Sequence, residues 1–203
     1  VVKPVSLHRR VEHHSNESST QEYLLYLRDA PSAQSSERFA AKLLANMVGD
    51  DSGSRMYWEL VDPGLVETAS LGHYDYQGVG MFYTWVSCEP DDAPAIVERM
   101  HQLLDKVERQ GLEPQELQQA KSKIRARVVL SNERPRSRLF NVGGNWLQTR
   151  EYRSVADDLA SIDGVTLDAV HALVAKYPFT EHALIGVGPL AEFPASRFLP
   201  NEG

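Results

Sequence analysis

Residues 65–87 read LVETASLGHYDYQGVGMFYTWVS and contain two runs rich in aromatic and aliphatic residues. The runs cover 65–76 and 79–87, and the dipeptide Gln77-Gly78 lies between them. Two β-rich runs separated by two residues that include glycine are typical of a β-hairpin. The stretch therefore predicts two antiparallel strands, and with them a sheet that is at least partly antiparallel.

Patterns on either side of this hairpin predict blocks of strands and blocks of helices. Thr20–Arg28 (TQEYLLYLR) and His182–Val187 are predicted strands, while 1–19 is an edge strand over 5–12 or a leading loop, with 13–19 as loop. Because the helices cluster between strands, we predict an α+β fold: a mainly antiparallel sheet of four to five strands with helices packed on one face. Apolar spacing, capping residues and Pro or Gly at the ends predict helices over 36–48 and 54–61, from Asp91 or Asp92 to Gly111, from Pro114, from about Arg136, and from Thr166 to Pro178.

Composition and charge exclude several classes of protein. The 203 residues hold 28 acidic and 21 basic side chains, and this net charge of −7 argues against a nucleic-acid binder, which needs surplus Lys and Arg. No stretch approaches the roughly 18 apolar residues of a membrane helix. The single cysteine, Cys88, excludes an internal disulfide framework and a cysteine-rich zinc site.

The domain organisation predicted from the sequence is simple. We predict a single domain over 1–203, with 191–203 as a C-terminal tail. Because the chain starts at Val1 without an initiator methionine, we expect it to be a piece from the C-terminal part of a longer protein. The compartment of that protein, cytoplasm or periplasm, stays open.

The candidate metal and catalytic residues do not complete a known motif. The inverted zincin motif H-x-x-E-H places two imidazoles one helical turn apart. Here three residues separate His8 from Glu12, which precedes His13, so we predict no metal site. His73 and Asp75 share one face of their predicted strand and could hydrogen-bond. No G-x-S-x-G nucleophile accompanies them, so an exposed polar strand face is the simpler interpretation and no catalytic residue is predicted.

One basic run stands out against the acidic total. Residues 121–138 carry seven Lys or Arg side chains and one acid, Glu133, whereas 89–116 carry eight acids and three bases. No aromatic residue interleaves the basic run, so its pattern does not favour RNA binding. We interpret it as a solvated face or an interface.

The order of segments resembles the second domain of the M16 metallopeptidase family, the group of pitrilysin, insulin-degrading enzyme and mitochondrial processing peptidase. Four segments carry the resemblance, in the family's order and at similar spacing, between residues 20 and 190. One of them, LEPQELQQAK, resembles the family's t-x-x-E-L-x-x-a-K helix. The segments are Gln21–Leu27, then Phe39–Met47 with Ser52–Leu60 and Gly64-Leu65, then Leu112–Lys121, and finally Ile162–Thr166 with Tyr177 and Gly186–Pro189.

The resemblance implies a role without chemistry of its own. In this family the first domain bears zinc on H-x-x-E-H, and the second domain bears no metal. The chain would then be a non-catalytic domain that encloses a peptide chamber and packs against a zinc-bearing domain of the same parent chain or a partner subunit. The resemblance implies no cofactor in this chain, and zinc in the parent protein if that protein is active.

Peptide contacts are also implied by the resemblance. Active members supply an Arg and a Tyr from an R-x-x-x-x-x-x-Y segment of the second domain. Val61 stands in place of that Arg and Glu67 near that Tyr, so both groups are lost. By position, the resemblance indicates Arg55, Glu67 and His73 as peptide contacts that do no chemistry.

Two other interpretations stay open at this point. One is a structural or interaction domain of a non-proteolytic M16-like protein, such as the core proteins of respiratory complexes. The other is an unrelated α+β domain that binds a small ligand. An H-x-x-E-H motif upstream in the parent protein would separate the peptidase from the first of these.

Overall fold

The computed structural model describes residues 9–191 and residue 193. Its five strands form one sheet in the order β1-β5-β2-β4-β3. The strands β2, β3, β4 and β5 pair antiparallel, and β1 pairs parallel with β5. The bounds are β1 Arg10–Ser15, β2 Glu22–Ala30, β3 Thr68–Tyr76, β4 Val79–Cys88 and β5 Ala183–Gly188.

Six α-helices accompany the sheet in the part of the chain described. Between α1 and β3 lies a π-helical turn, Tyr57–Val61, and before α2 lies a 3-10 turn, Pro90–Asp92. No helix among the described residues is both long and apolar enough to cross a lipid bilayer. The helices are α1 Arg38–Gly49, α2 Ala93–Gln110, α3 Pro114–Glu133, α4 Pro135–Thr149, α5 Val155–Asp163 and α6 Leu167–Lys176.

The hydrophobic core lies between one face of the sheet and the helices. Alternate residues of the central strand β2, among them Leu24 and Tyr26, are buried on this face. The backbone of α1 approaches β3 so closely that a Cβ on Gly49 would overlap Leu71. The ring of His101 in α2 lies 6.0 Å from the ring of Tyr26. Both α1 and α2 therefore cover the same face.

These observations confirm the predicted fold class. The hairpin pairs from Thr68 with Ser87 to Tyr76 with Val79, and the Gly78 at its turn has a φ of 80°. That left-handed conformation costs glycine little, which is why Gln77-Gly78 was a good turn signal. The single-domain prediction for 1–203 remains a prediction.

Three local predictions need correction. Residues 13–15 belong to the edge strand β1 and are not loop. The helical piece expected at 54–61 is the short π-helical turn, and α5 was not predicted at all. A capping box marks the start of α5. Ser154 Oγ accepts a hydrogen bond from the backbone N–H of Asp157 at 3.1 Å, and Asp157 Oδ2 accepts one from the backbone N–H of Ser154 at 2.8 Å.

Candidate functional site on the open face of the sheet

The second face of the sheet carries apolar and aromatic side chains without a helix against them in the described residues. On the central strand β2, Tyr23, Leu25 and Leu27 point to this side and are only half-buried. We call this surface the open face. Its other members on β3, β4 and β5 are Thr68, Ser70, Tyr74, Tyr76, Val79, Met81, Tyr83, Trp85, Ile185 and Val187.

Aromatic rings dominate one half of the open face. The rings of Tyr74 and Tyr83 stack at a centroid distance of 4.8 Å, and those of Tyr23 and Trp85 lie 5.4 Å apart. Tyr74 is 45% exposed, Tyr76 47% and Trp85 38%. Contiguous exposed apolar surface of this kind is typical of a site that meets another surface or an extended chain. The alternation of side chains in TQEYLLYLR and MFYTWVS predicts two opposite faces for each strand. The sequence does not tell which of the two faces the helices cover.

Arg55 is held inside the domain. Its guanidinium donates two hydrogen bonds to Glu116, at 2.7 and 2.9 Å, and one to the carbonyl of Gly111 at 2.9 Å. Partial burial raises the pKa of Glu116, but hydrogen bonds from Arg55 and from the backbone N–H of Glu113 outweigh it and leave that pKa below its ordinary value. The pair therefore ties the start of α3 to the segment after α1.

His73 faces the helix-covered side of the sheet. Its Nε2 hydrogen-bonds the carbonyl of Pro31 at 2.9 Å, and its ring lies 5.3 Å from that of Phe82. Asp75 shares this face as expected, but it pairs with Lys42 at 3.2 Å. Burial lowers the pKa of His73, with the Pro31 carbonyl and Asp75 opposing that shift. His73 is therefore neutral near pH 7 and is not part of an exposed polar strand face.

Glu67 is exposed just before β3. Its side chain accepts a hydrogen bond from the amide of Gln21, and its backbone N–H donates to the carbonyl of Ser87 at 2.9 Å. The turn that leads to it contains Gly64, with a φ of 73°. The preceding Val61 is half-buried. The three residues suggested by position thus interact with different elements of the fold. Among Arg55, Glu67 and His73, only Glu67 is exposed.

The described residues do not fit a zinc ion. Glu12 and His13 are adjacent on β1, so their side chains lie on opposite faces of the sheet. No group of three or more His, Cys, Asp or Glu side chains within 9–191 and 193 is placed to hold a metal. His8, the third residue of the near-motif, lies outside the described residues.

The sequence suggested a solvated loop at His13, and this is wrong: His13 belongs to β1 and its side chain is largely buried. Its Nε2 lies 2.7 Å from Glu22 Oε1, and the two side chains are 10% and 0% exposed. A Cβ on Gly188 of β5 would overlap the Glu22 carboxylate, so glycine makes room for the pair. Burial, followed by the nearby Glu22, raises the pKa of Cys88 to about 12. Cys88 is therefore a protonated core thiol and not a nucleophile.

Comparisons with known proteins agree with the fold. Residues 2–124 match the model of a family described as the peptidase M16 inactive domain. An uncharacterized zinc protease of Bacillus subtilis, YmxG, is 24% identical over 155 residues, which are 75% of this chain and 38% of that protein. An uncharacterized zinc protease of Streptomyces coelicolor is 27% identical over 161 residues, 79% of this chain and 35% of the relative.

A solved structure shows the same architecture. The crystal structure of a peptidase M16 inactive domain from Pseudomonas fluorescens superposes with a TM-score of 0.82 at 16% identity. The match covers 94% of this chain and 46% of that one. The chain thus spans less than half the length of each of these proteins.

Proposed function

Because the chain belongs to the peptidase M16 inactive-domain family, we propose that it is the non-catalytic domain of a zinc metallopeptidase. In that role it packs against a zinc-bearing domain outside this chain and helps to enclose the chamber that holds the peptide. The chain matches only 38% and 35% of the length of two zinc-protease relatives. Most of each relative therefore lies outside the matched region, and this supports the proposed arrangement.

One observation carries the proposal: the open face of the sheet is rich in apolar and aromatic side chains, and no helix within residues 9–191 and 193 lies against it. A mainly antiparallel sheet can leave its second face in water, but that face is then usually polar. Large exposed aromatic side chains on the second face indicate instead a surface that another domain covers. Strand side chains such as Leu25, Leu27 and Trp85 present a broad wall there. A second domain, and the peptide held between the two, would cover that wall.

Zinc is assigned to the other domain in this proposal. The described residues of this chain do not fit the metal, so no step of peptide hydrolysis is derived for them. A zinc ion supplies an activated water and polarises the scissile carbonyl in such enzymes. In this proposal the chain contributes part of the surface that encloses the peptide, and it does no chemistry. The alternative, a structural domain of a non-proteolytic M16-like protein, would hold if the parent lacks H-x-x-E-H.

Among the three residues suggested by position, we propose Glu67 as a peptide contact because it is exposed. Arg55 and His73 would act only by holding the segments on either side, since both are engaged within the domain. A carboxylate at Glu67 would repel an oxyanion rather than stabilise it. Glu67 is therefore proposed to affect binding and not chemistry.

In the complete parent protein, Glu67→Ala is expected to leave kcat unchanged and to alter KM by no more than a few-fold. The reason is that a contact made equally in ground and transition states affects binding alone. Steady-state peptide cleavage measures both constants, with Glu98→Ala on the outer face of α2 as the matched control. A hundredfold loss of kcat, about 2.7 kcal/mol, in a folded variant would instead identify Glu67 as catalytic.

A further inference from the structure

A cavity of about 520 Å³ lies among the helices on the helix-covered side of the sheet. Residues of α1, α3, α4 and α5 line it, together with Asp75 of β3. We call this space the α4 cavity. It is separate from the open face, which lies on the other side of the sheet. A volume of this size is in the range of sites that hold small organic molecules.

Part of the wall of the α4 cavity is apolar. Phe39 of α1 and the α3 residues Ile124 and Val128 line the cavity, and all three are only partly buried against the core. Phe140 of α4 also lines it and is 66% exposed. An apolar group placed in the cavity would remove the exposed surface of these side chains from water, and this favours binding.

Helix α4 presents one of its sides to the cavity. Phe140, Gly144 and Gln148 line the cavity at intervals of four residues, so they lie on the same side of the helix. Phe140 and Gln148 are eight residues apart, which corresponds to about 12 Å along the helix axis. The cavity therefore accommodates an extended group of roughly this length.

A buried cation lies at the Gln148 end of the cavity. Arg38 is 6% exposed and lines the cavity, and its Nη1 donates to the carbonyl of Ala33 at 2.7 Å. The next residue, Gln34, donates to the carbonyl of Gln148 at 2.6 Å. Arg38 forms no salt bridge with any residue of 9–191 or 193. Because buried charges are ordinarily paired, this guanidinium is suited to receive an anion.

The other charged side chains at the cavity each form a salt bridge within the domain. Their charges are offset by these partners, so the positive charge of Arg38 is the one left to attract a ligand. The pairs are Lys42 with Asp75 at 3.2 Å, Arg127 with Asp50 at 2.7 Å and Asp158 with Arg153 at 2.8 Å.

Arg38 also borders a second cavity, of about 750 Å³, to which α1, α5 and α6 contribute. The apolar side chains of Ile124, Val128 and Phe140 line the α4 cavity and not the second one. A ligand with both an anionic group and an apolar body therefore fits the α4 cavity better.

We propose that the α4 cavity binds a medium-chain monocarboxylate. The carboxylate pairs with Arg38, and the hydrocarbon chain runs along Ile124 and Val128 toward Phe140. A guanidinium binds a carboxylate through charge-assisted hydrogen bonds, which are often bidentate. Decanoate, whose extended chain is about as long as the cavity, represents this class. The inference does not depend on peptidase activity and leaves the open face free, so its failure would leave the proposed function standing.

Isothermal titration calorimetry tests the class of ligand on the unmodified chain, at concentrations at which decanoate is monomeric. We expect one decanoate to bind per chain. The uncharged 1-decanol, with a chain of the same length, should bind about tenfold or more weakly, because it lacks the charge that pairs with Arg38. Arg38→Gln should weaken the binding of decanoate to a similar extent. No binding of decanoate, or equal affinities for decanoate and 1-decanol, would overturn the proposal.

A pair of glycine variants tests the place of binding. A Cβ on Gly143 or on Gly144 would meet nothing within 4 Å, so both positions accept a larger side chain, and both substitutions raise helix propensity. Gly144 lines the cavity and Gly143 does not. Gly144→Leu should therefore abolish decanoate binding, whereas Gly143→Leu should leave Kd within a few-fold of wild type. Circular dichroism verifies that each variant is folded. Equal binding of decanoate by the two variants would place it outside the cavity, for instance on the open face, and would overturn the proposal.

Discussion

His13→Ala is expected to destabilise the domain by roughly 1–3 kcal/mol, the cost of leaving a buried polar group without its hydrogen-bond partner. The Glu22 side chain is fully buried, and His13 Nε2 lies 2.7 Å from its Oε1. Its other oxygen, Oε2, has no hydrogen-bond partner among the described residues. Without His13 the carboxyl group is left in the core with neither water nor an imidazole to bind. Urea unfolding followed by circular dichroism measures the change.

The neighbouring residue supplies the control for this prediction. His14 is 68% exposed, so His14→Ala is expected to change the free energy of unfolding by no more than about 0.5 kcal/mol. A double-mutant cycle that combines His13→Ala with Glu22→Gln measures how much of the loss comes from the interaction between the two side chains. A His13→Ala variant as stable as His14→Ala would show that the pair does not stabilise this fold.

Mild acid is expected to weaken the domain by about 3 kcal/mol through His182. Burial lowers the pKa of His182 to about 4, partly opposed by its hydrogen bond to the carbonyl of Phe179. An unfolded histidine takes up its proton near pH 6.5. Between pH 6.5 and 4 the unfolded chain therefore binds a proton that the folded chain does not. Stability is fully present above pH 6.5 and is lost as the pH falls toward 4.

Unfolding free energies between pH 7 and pH 4 test this dependence. His182→Asn keeps a donor for Phe179 but cannot titrate, so its stability should fall much less over this range. His101, whose pKa is also lowered by burial, contributes a smaller loss of the same sign. His14→Asn, at an exposed site, serves as the control. Equal pH dependence in wild type and His182→Asn would rule out His182 as the cause.

The parts of the fold that the sequence predicted well are those decided by neighbouring residues. Gln77-Gly78 fixed the hairpin because its turn geometry is local. Pro114 marked the start of α3, where the backbone N–H of Glu113 donates to Glu116 Oε2 at 2.6 Å. Residues 13–15 were assigned to a loop because they are polar. Their strand forms by parallel pairing with β5, from Arg10 opposite Ala183 to Ser15 opposite Gly188, and a partner so distant in sequence is invisible in a local pattern.

The candidate site depended on packing that the sequence does not specify. The alternation of side chains predicted two faces for each strand. The packing of α1 against β3 and of α2 against β2 decides which face the helices cover. The stripe of Leu139, Val142 and Trp146 correctly predicted a helix. It gave no sign that Leu139 and Trp146 would point away from this domain's own core. The spacing of hydrophobic residues predicts that a helix has an apolar side, but it does not identify what packs against that side.

The central claim is that this domain works only beside a zinc-bearing domain, and zinc content together with peptide cleavage tests it most directly. The chain is incubated with zinc, dialysed, and assayed for bound metal and for cleavage of a fluorogenic peptide with and without a chelator. It is then added to the separately produced zinc-bearing part of the parent protein. We expect no stoichiometric zinc and no cleavage from the chain alone, and increased turnover when the two parts are combined. Stoichiometric zinc with chelator-sensitive cleavage by the isolated chain would contradict the claim.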